Sequence, residues 1–263
     1  MKQDERASFD GALDAARRTA YPPGEFVGQE SFMRAREIRA LAVRAGIGPG
    51  VSVLDLCCGV AGPGRLVTQE LGCTYLGVDS SASAIAIARE RAAGLPCRFE
   101  VGRVPPVPHG PFDVVLLLET MLAFADKRTL LREISSTLPV GGRFAFTVEE
   151  GQPLTHAERK LMPDADTVWL TPLTRLVSWL ELAGFRVDWT QECSGAHREM
   201  ADNLADAFTA DRSAIAAEVG EQALEELLTA HRLWSGWLRE GRVRKFAAVA
   251  EKVGDATDDV DPG

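Results

Sequence analysis

The sequence predicts an α/β chain built on a doubly wound, mainly parallel sheet, and three stretches carry that prediction. Val51-Ser-Val-Leu-Asp-Leu-Cys-Cys-Gly-Val-Ala-Gly-Pro-Gly64 is a short apolar run that ends in an acid and a glycine-rich turn. Thr74-Tyr-Leu-Gly-Val-Asp-Ser-Ser81 is a second apolar run ending in an acid, with room for one helix between the two. That order is a βαβ nucleotide-binding unit. Phe112-Asp-Val-Val-Leu-Leu-Leu118 is an unbroken apolar run, as a strand buried on both faces of a parallel sheet requires.

The elements follow in order. Phe9, Leu13, Ala16 and Ala20 recur at helical spacing within residues 1–20, and Tyr21-Pro-Pro-Gly24 ends that helix. Phe32, Met33, Ile38, Leu41, Ala42 and Ala45 predict a second helix that closes at Gly46 and feeds the first strand. Residues 65–71 form the first crossover helix and 83–93 the second, capped by Ser80 or Ser81. The third strand is 97–101; Pro105, Pro106, Pro108 and Pro111 then make a rigid loop, because proline neither continues a helix nor donates a ladder hydrogen bond. Residues 112–118 are the fourth strand, 141–148 the fifth, 171–183 a helix ended by Gly184, and 185–190 the sixth strand. A helical stretch over 196–240 delays the seventh strand, 243–251, and is far longer than an ordinary connection. The expected organisation is one domain over 1–253, with a helical lid at 1–46, a helical cap insertion at 196–240 and a disordered acidic tail at 254–263.

Composition narrows the function. With 263 residues, 46% hydrophobic and 25% charged, the chain is long enough for one large α/β domain with an insertion. A net charge of −9 argues against general nucleic-acid binding, which needs a basic face, and favours a small-molecule partner. The five cysteines show no CxxC pair and no metal-type spacing with the four histidines, so no metal is expected and a reducing, cytoplasmic setting fits. No apolar run reaches the ~18 residues of a membrane span, and the polar N-terminus is no signal peptide. Apolar faces on the N-terminal helices and the cap leave room for a homodimer contact.

Gly59, Gly62 and Gly64 let a ligand approach the backbone, and Asp79 at the end of the second strand is placed to accept both hydroxyl hydrogens of a ribose. An adenosine-containing cofactor is implied. Asp55, just before the glycines, would repel a pyrophosphate and welcome an ammonium. On these residues the segment resembles the first two motifs of the class I S-adenosylmethionine-dependent methyltransferases, well over residues 50–150 and by layout elsewhere. The resemblance implies a Rossmann-like seven-stranded sheet of order 3-2-1-4-5-7-6 with strand seven antiparallel. It also implies S-adenosylmethionine as cofactor, with Asp55 near the methionine amino group, Gly59 in the loop beneath the cofactor and Asp79 on the ribose. Cys57 and Ala61 depart from the family's usual glycines.

By the same resemblance, Glu25-Phe-Val-Gly-Gln-Glu-Ser-Phe32 is a lid edge, and the cofactor set comprises Gln29, Asp55, Cys57, Cys58, Gly59, Gly62, Asp79, Ser80, Gly102, Arg103, Val104 and Glu119. Arg103 stands where the family often has an acid for the adenine amino group, so adenine recognition passes to the backbone around Gly102 and Val104. Methyl transfer from a sulfonium needs alignment more than acid strength. The catalytic candidates are Glu119 at the end of the fourth strand, Glu150 at the end of the fifth, and His156 and His197 as bases near neutral pH. Glu149 shares the rim with Glu150, and alternate strand residues face opposite ways, so one of the two turns to solvent. His231 falls on the Leu227, Leu228, Trp234, Leu238 face of a helix and reads as a packed residue, while Trp234 and Trp237 are candidates to wall an acceptor. The function expected is methyl transfer to an N, C or O atom of a small molecule. The alternatives are non-methylating chemistry on the same cofactor, a cofactor-binding regulator, and an NAD(P)-dependent oxidoreductase, against which Asp55 and the late seventh strand speak.

Overall fold

Apolar side chains alternate across the central strands, and that alternation builds the sheet. In a computed structural model of the chain, which describes residues 11–255, Leu54, Leu56, Val115, Leu117, Phe144 and Phe146 pack on one face, and Val53, Val114, Leu116 and Ala145 on the other. Seven strands result: β1 (Ser52–Leu56), β2 (Thr74–Asp79), β3 (Cys97–Val101), β4 (Val114–Leu117), β5 (Arg143–Glu150), β6 (Phe185–Glu192) and β7 (Arg244–Lys252). Their order is β3-β2-β1-β4-β5-β7-β6, with β7 antiparallel to both neighbours, as the resemblance implied.

Helices cover both faces. The first is α1 (Ala12–Ala20), followed by α2 (Ala35–Arg44), α3 (Gly62–Leu71) and α4 (Ala82–Arg91). Ile38, Leu41, Leu66, Val67, Ile85 and Ala88 from α2, α3 and α4 join the Val53 face. On the opposite face lie α5 (Lys127–Thr137) and α7 (Leu173–Leu182), through Leu130, Leu131, Ile134, Leu176 and Leu180. Between them comes the short α6 (His156–Leu161). Local chemistry sets several ends. The Ser81 hydroxyl accepts the Ala84 N–H (3.1 Å) as the α4 cap, Asp126 accepts the Thr129 N–H (3.0 Å) as the α5 cap, and α2 stops at Gly46, whose φ is +71°.

The stretch between β6 and β7 folds into α8 (Ser194–Ala210), α9 (Arg212–Val219) and α10 (Glu221–Glu240). Leu13, Ala16, Ala20 and Tyr21 of the N-terminal segment pack against Met200, Leu204, Phe208, Ile215, Leu224 and Leu228. The predicted lid and the predicted cap therefore share one apolar core, a union that sequence separation hides.

Several expectations are adjusted. The first crossover helix begins three residues before the predicted Arg65, because Gly62 and Pro63 already take helical geometry, Pro63 needing no N–H in the first turn. The helices α5 and α6 were not foreseen. The predicted first helix begins at Ala12 in the structure, with residues 1–10 outside the described residues. Of the expected tail, 256–263 lie outside the described residues, and Gly254 donates its N–H to the Gly184 carbonyl (3.3 Å).

Candidate active site: two adjoining cavities at the strand ends

Parallel strands present their carboxyl ends to one edge of the sheet, and crossovers that leave in opposite directions open a crevice there. Beyond β1, β2 and β4 a cavity of about 240 Å³ is lined by Gly28 to Ser31, Asp55, Cys57 to Val60, Gly62, Asp79 and Glu119. A second cavity, of about 220 Å³, lies under the shared lid and cap and is walled by Tyr21, Phe32, Phe208, His231 and Trp234, with Arg17, Glu30, Glu119 and Glu149. Gln29, Glu30, Ser31 and Glu119 line both, so the two spaces adjoin across that seam.

The first cavity is shaped by backbone. Asp79 is placed by its own loop, Oδ2 accepting the Gly59 N–H and Oδ1 the Ser81 N–H, each at 2.9 Å, which leaves further lone pairs for a ligand. Asp55 is buried and accepts the Tyr75 hydroxyl at 2.5 Å. Burial pushes its carboxyl up to about 7, the Tyr75 bond opposing and the Asp79 charge adding. Cys57 and Ala61, the departures from glycine, hold φ of 60° and 56°, the left-handed region that glycine occupies without strain. A Cβ at Gly59 would enter open space, whereas one at Gly62 would meet the Val27 oxygen and the Gly28 carbonyl carbon at 2.7 Å. The lid edge thus rests on the glycine loop. Gln29 is its staple: Nε2 donates to the carbonyls of Glu25 (2.9 Å) and Met33 (2.8 Å), and Oε1 accepts the Val27 N–H (2.6 Å).

Glu119 sits where the cavities meet, at a left-handed φ of 60°. Its N–H donates to the Thr147 hydroxyl (2.7 Å), which donates back to Oε1 (2.8 Å), and Lys245 Nζ lies 2.8 Å from the same oxygen. Burial works against its charge, yet the Lys245 ammonium, aided by His197, outweighs it and holds the carboxyl near 2. Lys245 also pairs with Glu149, its direct partner across β5 and β7, and burial with two acids around one ammonium leaves Glu149 raised. Glu149 Oε2 is buried without a hydrogen-bond partner.

Of the residues predicted to hold a cofactor, Gln29, Asp55, Cys57, Cys58, Gly59, Gly62, Asp79 and Glu119 come together in one wall. Ser80, Gly102, Arg103 and Val104 do not line it; the Gly102 N–H donates to the Asp79 carbonyl (2.9 Å) and so fixes the neighbouring turn. The catalytic set changes more. Glu150 accepts the Leu173 N–H (3.1 Å) and pairs with Arg244 (2.8 Å), so the member of the pair that faces the cavity is Glu149. His156 is an exposed residue of α6 lining neither cavity, and His197 is 1% exposed behind Glu119. The histidine in the wall is His231, whose Nδ1 is taken by the Leu227 carbonyl at 2.7 Å and whose ring stands edge-on to Phe32 and Phe208. Burial pushes it down to about 4, so it is neutral at pH 7. Trp234 lines the cavity; Trp237 packs in a separate core with Val243 and Met162.

Residues 53–142 match the methyltransferase domain family. Over that stretch the chain is similar to a methyltransferase domain. Over 99 residues it is 35% identical to phosphoethanolamine N-methyltransferase 1 of Arabidopsis thaliana, a match covering 36% of this chain and 20% of that protein. The chain thus spans about a fifth of the length of that curated relative. Among solved structures, the fold is similar to Haemonchus contortus phosphoethanolamine N-methyltransferase 2 in complex with S-adenosyl-L-methionine (TM-score 0.75, 19% identity, 93% of this chain and 57% of that one). It is also similar to a cyclopropane synthase from Mycobacterium tuberculosis (TM-score 0.77, 16% identity, 96% of this chain and 98% of that one). The likeness to these structures is one of fold, and in this chain the strand ends face the paired cavities.

Among the described residues no helix is long and apolar enough to cross a membrane.

Proposed function

We propose that the protein transfers the methyl group of S-adenosylmethionine to a nitrogen or oxygen atom of a small molecule, with the cofactor in the first cavity and the acceptor in the second. The observation that carries this reading is the seam shared by the two cavities, because in-line transfer requires donor and acceptor to meet without water between them. S-adenosylmethionine fits the first wall by chemistry. Asp55, a buried carboxyl with no cationic partner among the described residues, suits an α-ammonium, Asp79 retains lone pairs for a ribose diol, and the open side of Gly59 admits a close ligand.

Asp55, Gly59 and Asp79 would hold the cofactor, which would supply a methyl group on a positively charged sulfur, a leaving group that needs no protonation. The chain's own work is orientation and proton handling. The aromatic wall holds the acceptor's apolar body, and Glu119, kept ionised by Lys245, presents a fixed negative charge at the seam. Glu149, its pKa raised and Oε2 unpartnered, receives the proton that the acceptor's N–H or O–H group releases. Support for an amine comes from these two acids and from the phosphoethanolamine relative. The helices over 194–240, with α1, serve as the acceptor cap, and five free cysteines suit a reducing, cytoplasmic setting.

The test is a screen of amines and hydroxy compounds bearing apolar bodies against methyl-labelled cofactor. Label transfer with one S-adenosylhomocysteine formed per product is expected; stoichiometric cofactor binding with no transfer across both classes would overturn methylation of N or O. With the acceptor so found, Glu149→Gln should lower kcat at least about tenfold and leave the cofactor Kd within about twofold.

A further inference from the structure

His197 has no role in the chemistry above, and its surroundings are unusual for a buried histidine. Its ring is 1% exposed, and neither nitrogen has a hydrogen-bond partner. Nε2 faces Glu37 Oε1 at 3.8 Å and Nδ1 faces Glu119 Oε2 at 3.7 Å, distances too long for hydrogen bonds. Cys193 stands one turn before His197, and its Sγ, His197 nitrogen and a Glu37 oxygen lie within 4.8 Å of one another. Cys193 and His197 are one helical turn apart at the start of α8, whereas Glu37 comes from α2, far away in sequence, so the sequence does not reveal the third donor.

We propose that Glu37, Cys193 and His197 form a binding site for one divalent cation of the zinc type, clasping the lid helix α2 to the cap helix α8. The donor set decides the ion class: thiolate, imidazole and carboxylate suit zinc and not magnesium or calcium. The geometry fits. Zinc bonds of about 2.0 Å to nitrogen and oxygen and about 2.3 Å to sulfur set tetrahedral ligands roughly 3.3–3.6 Å apart; His197 Nε2 and Glu37 Oε1 already stand 3.8 Å apart and all three donors lie within 4.8 Å, so a modest inward movement seats the ion.

Glu37 and His197 have the needed atom to spare, and Cys193, whose thiol donates to the Lys245 carbonyl at 3.5 Å, would lose that proton on binding the ion. Glu37 commits Oε2 to the Arg34 backbone N–H (2.8 Å) and guanidinium (3.2 Å), leaving Oε1. Metal at His197 Nε2 places the proton on Nδ1, on the side of Glu119 Oε2 at 3.7 Å, where a carboxylate favours that tautomer. Zinc with one thiolate, one carboxylate and a neutral imidazole is uncharged overall, as a spot near Arg34 and Lys245 demands.

The test needs neither methyl donor nor acceptor, so it stands apart from the fate of the methyltransferase reading. The full chain, stripped with a chelator, is titrated with Zn²⁺ by calorimetry and with Co²⁺ by absorption. One ion per chain, a thiolate-to-cobalt charge-transfer band and a rise in Tm with Zn²⁺ are expected, with affinity falling at least about 100-fold in Cys193→Ser and Glu37→Gln. No stoichiometric binding, a cobalt spectrum without thiolate, or zinc binding unchanged in both variants would overturn the site. Should Cys193→Ser fail to fold, the wild-type cobalt spectrum and Glu37→Gln decide it.

Discussion

Asp55 is the residue on which the donor half of the account turns, because its environment holds it partly protonated at neutral pH. Its folded pKa of about 7 lies above the ordinary carboxyl value of about 4, so between these the folded state binds more protons than the unfolded one. Its contribution to stability therefore falls as pH rises from about 4 to about 7 and levels off above. Asp55→Asn should flatten that slope and raise Tm at pH 8 by about 5 °C, read by calorimetric melts across pH. A cation bound beside Asp55 favours its ionised form, so S-adenosylmethionine should release protons on binding near pH 6.5, seen as a buffer-dependent enthalpy that Asp55→Asn abolishes. Asp79 and Gly59 were legible from sequence because local order alone places them. Glu149 was not: which of two adjacent acids faces inward depends on Lys245 across the β5 and β7 ladder, nearly a hundred residues away.

At the scale of elements, the glycine loop and the lid edge act as one unit. Gly62 is where they touch, since a Cβ there would strike backbone atoms of Val27 and Gly28 that cannot swing aside. Gly59 has open space but a φ of +53°. Gly59→Ala should thus cost about 1 kcal/mol of stability, whereas Gly62→Ala should cost at least twice that and also expose residues 25–33 to protease; denaturant melts and limited proteolysis separate the two. The strands were legible to within about two or three residues because apolar runs and terminal glycines mark them. Helix α5 has its signals in the sequence, Asp126 as cap and then Leu130, Leu131 and Ile134 on one face, but its first turn lacks apolar periodicity. His231 escaped for another reason, since a helical stripe shows which face is buried and not that a cavity opens in it.

For the whole molecule, α1 and α8–α10 share a core over the proposed acceptor cavity while the proposed donor cavity rests on the sheet, so the two should respond separately to mutation. Phe208 is buried in that core and lines the acceptor cavity. Phe208→Ala should lower stability by about 3–5 kcal/mol and change acceptor choice, yet leave the cofactor Kd within about twofold, checked by melts and titration. The seven-stranded order was legible through the βαβ motif and the family it resembles. The union of residues 12–21 with 194–240 was not, because apolar stripes do not name their partners. The most direct measurement of the central claim is a calorimetric titration of the purified chain with S-adenosylmethionine, S-adenosylhomocysteine and NADPH. The account predicts one site per chain for each of the first two, lost in Asp79→Ala, and none for NADPH; heat from NADPH alone would contradict it.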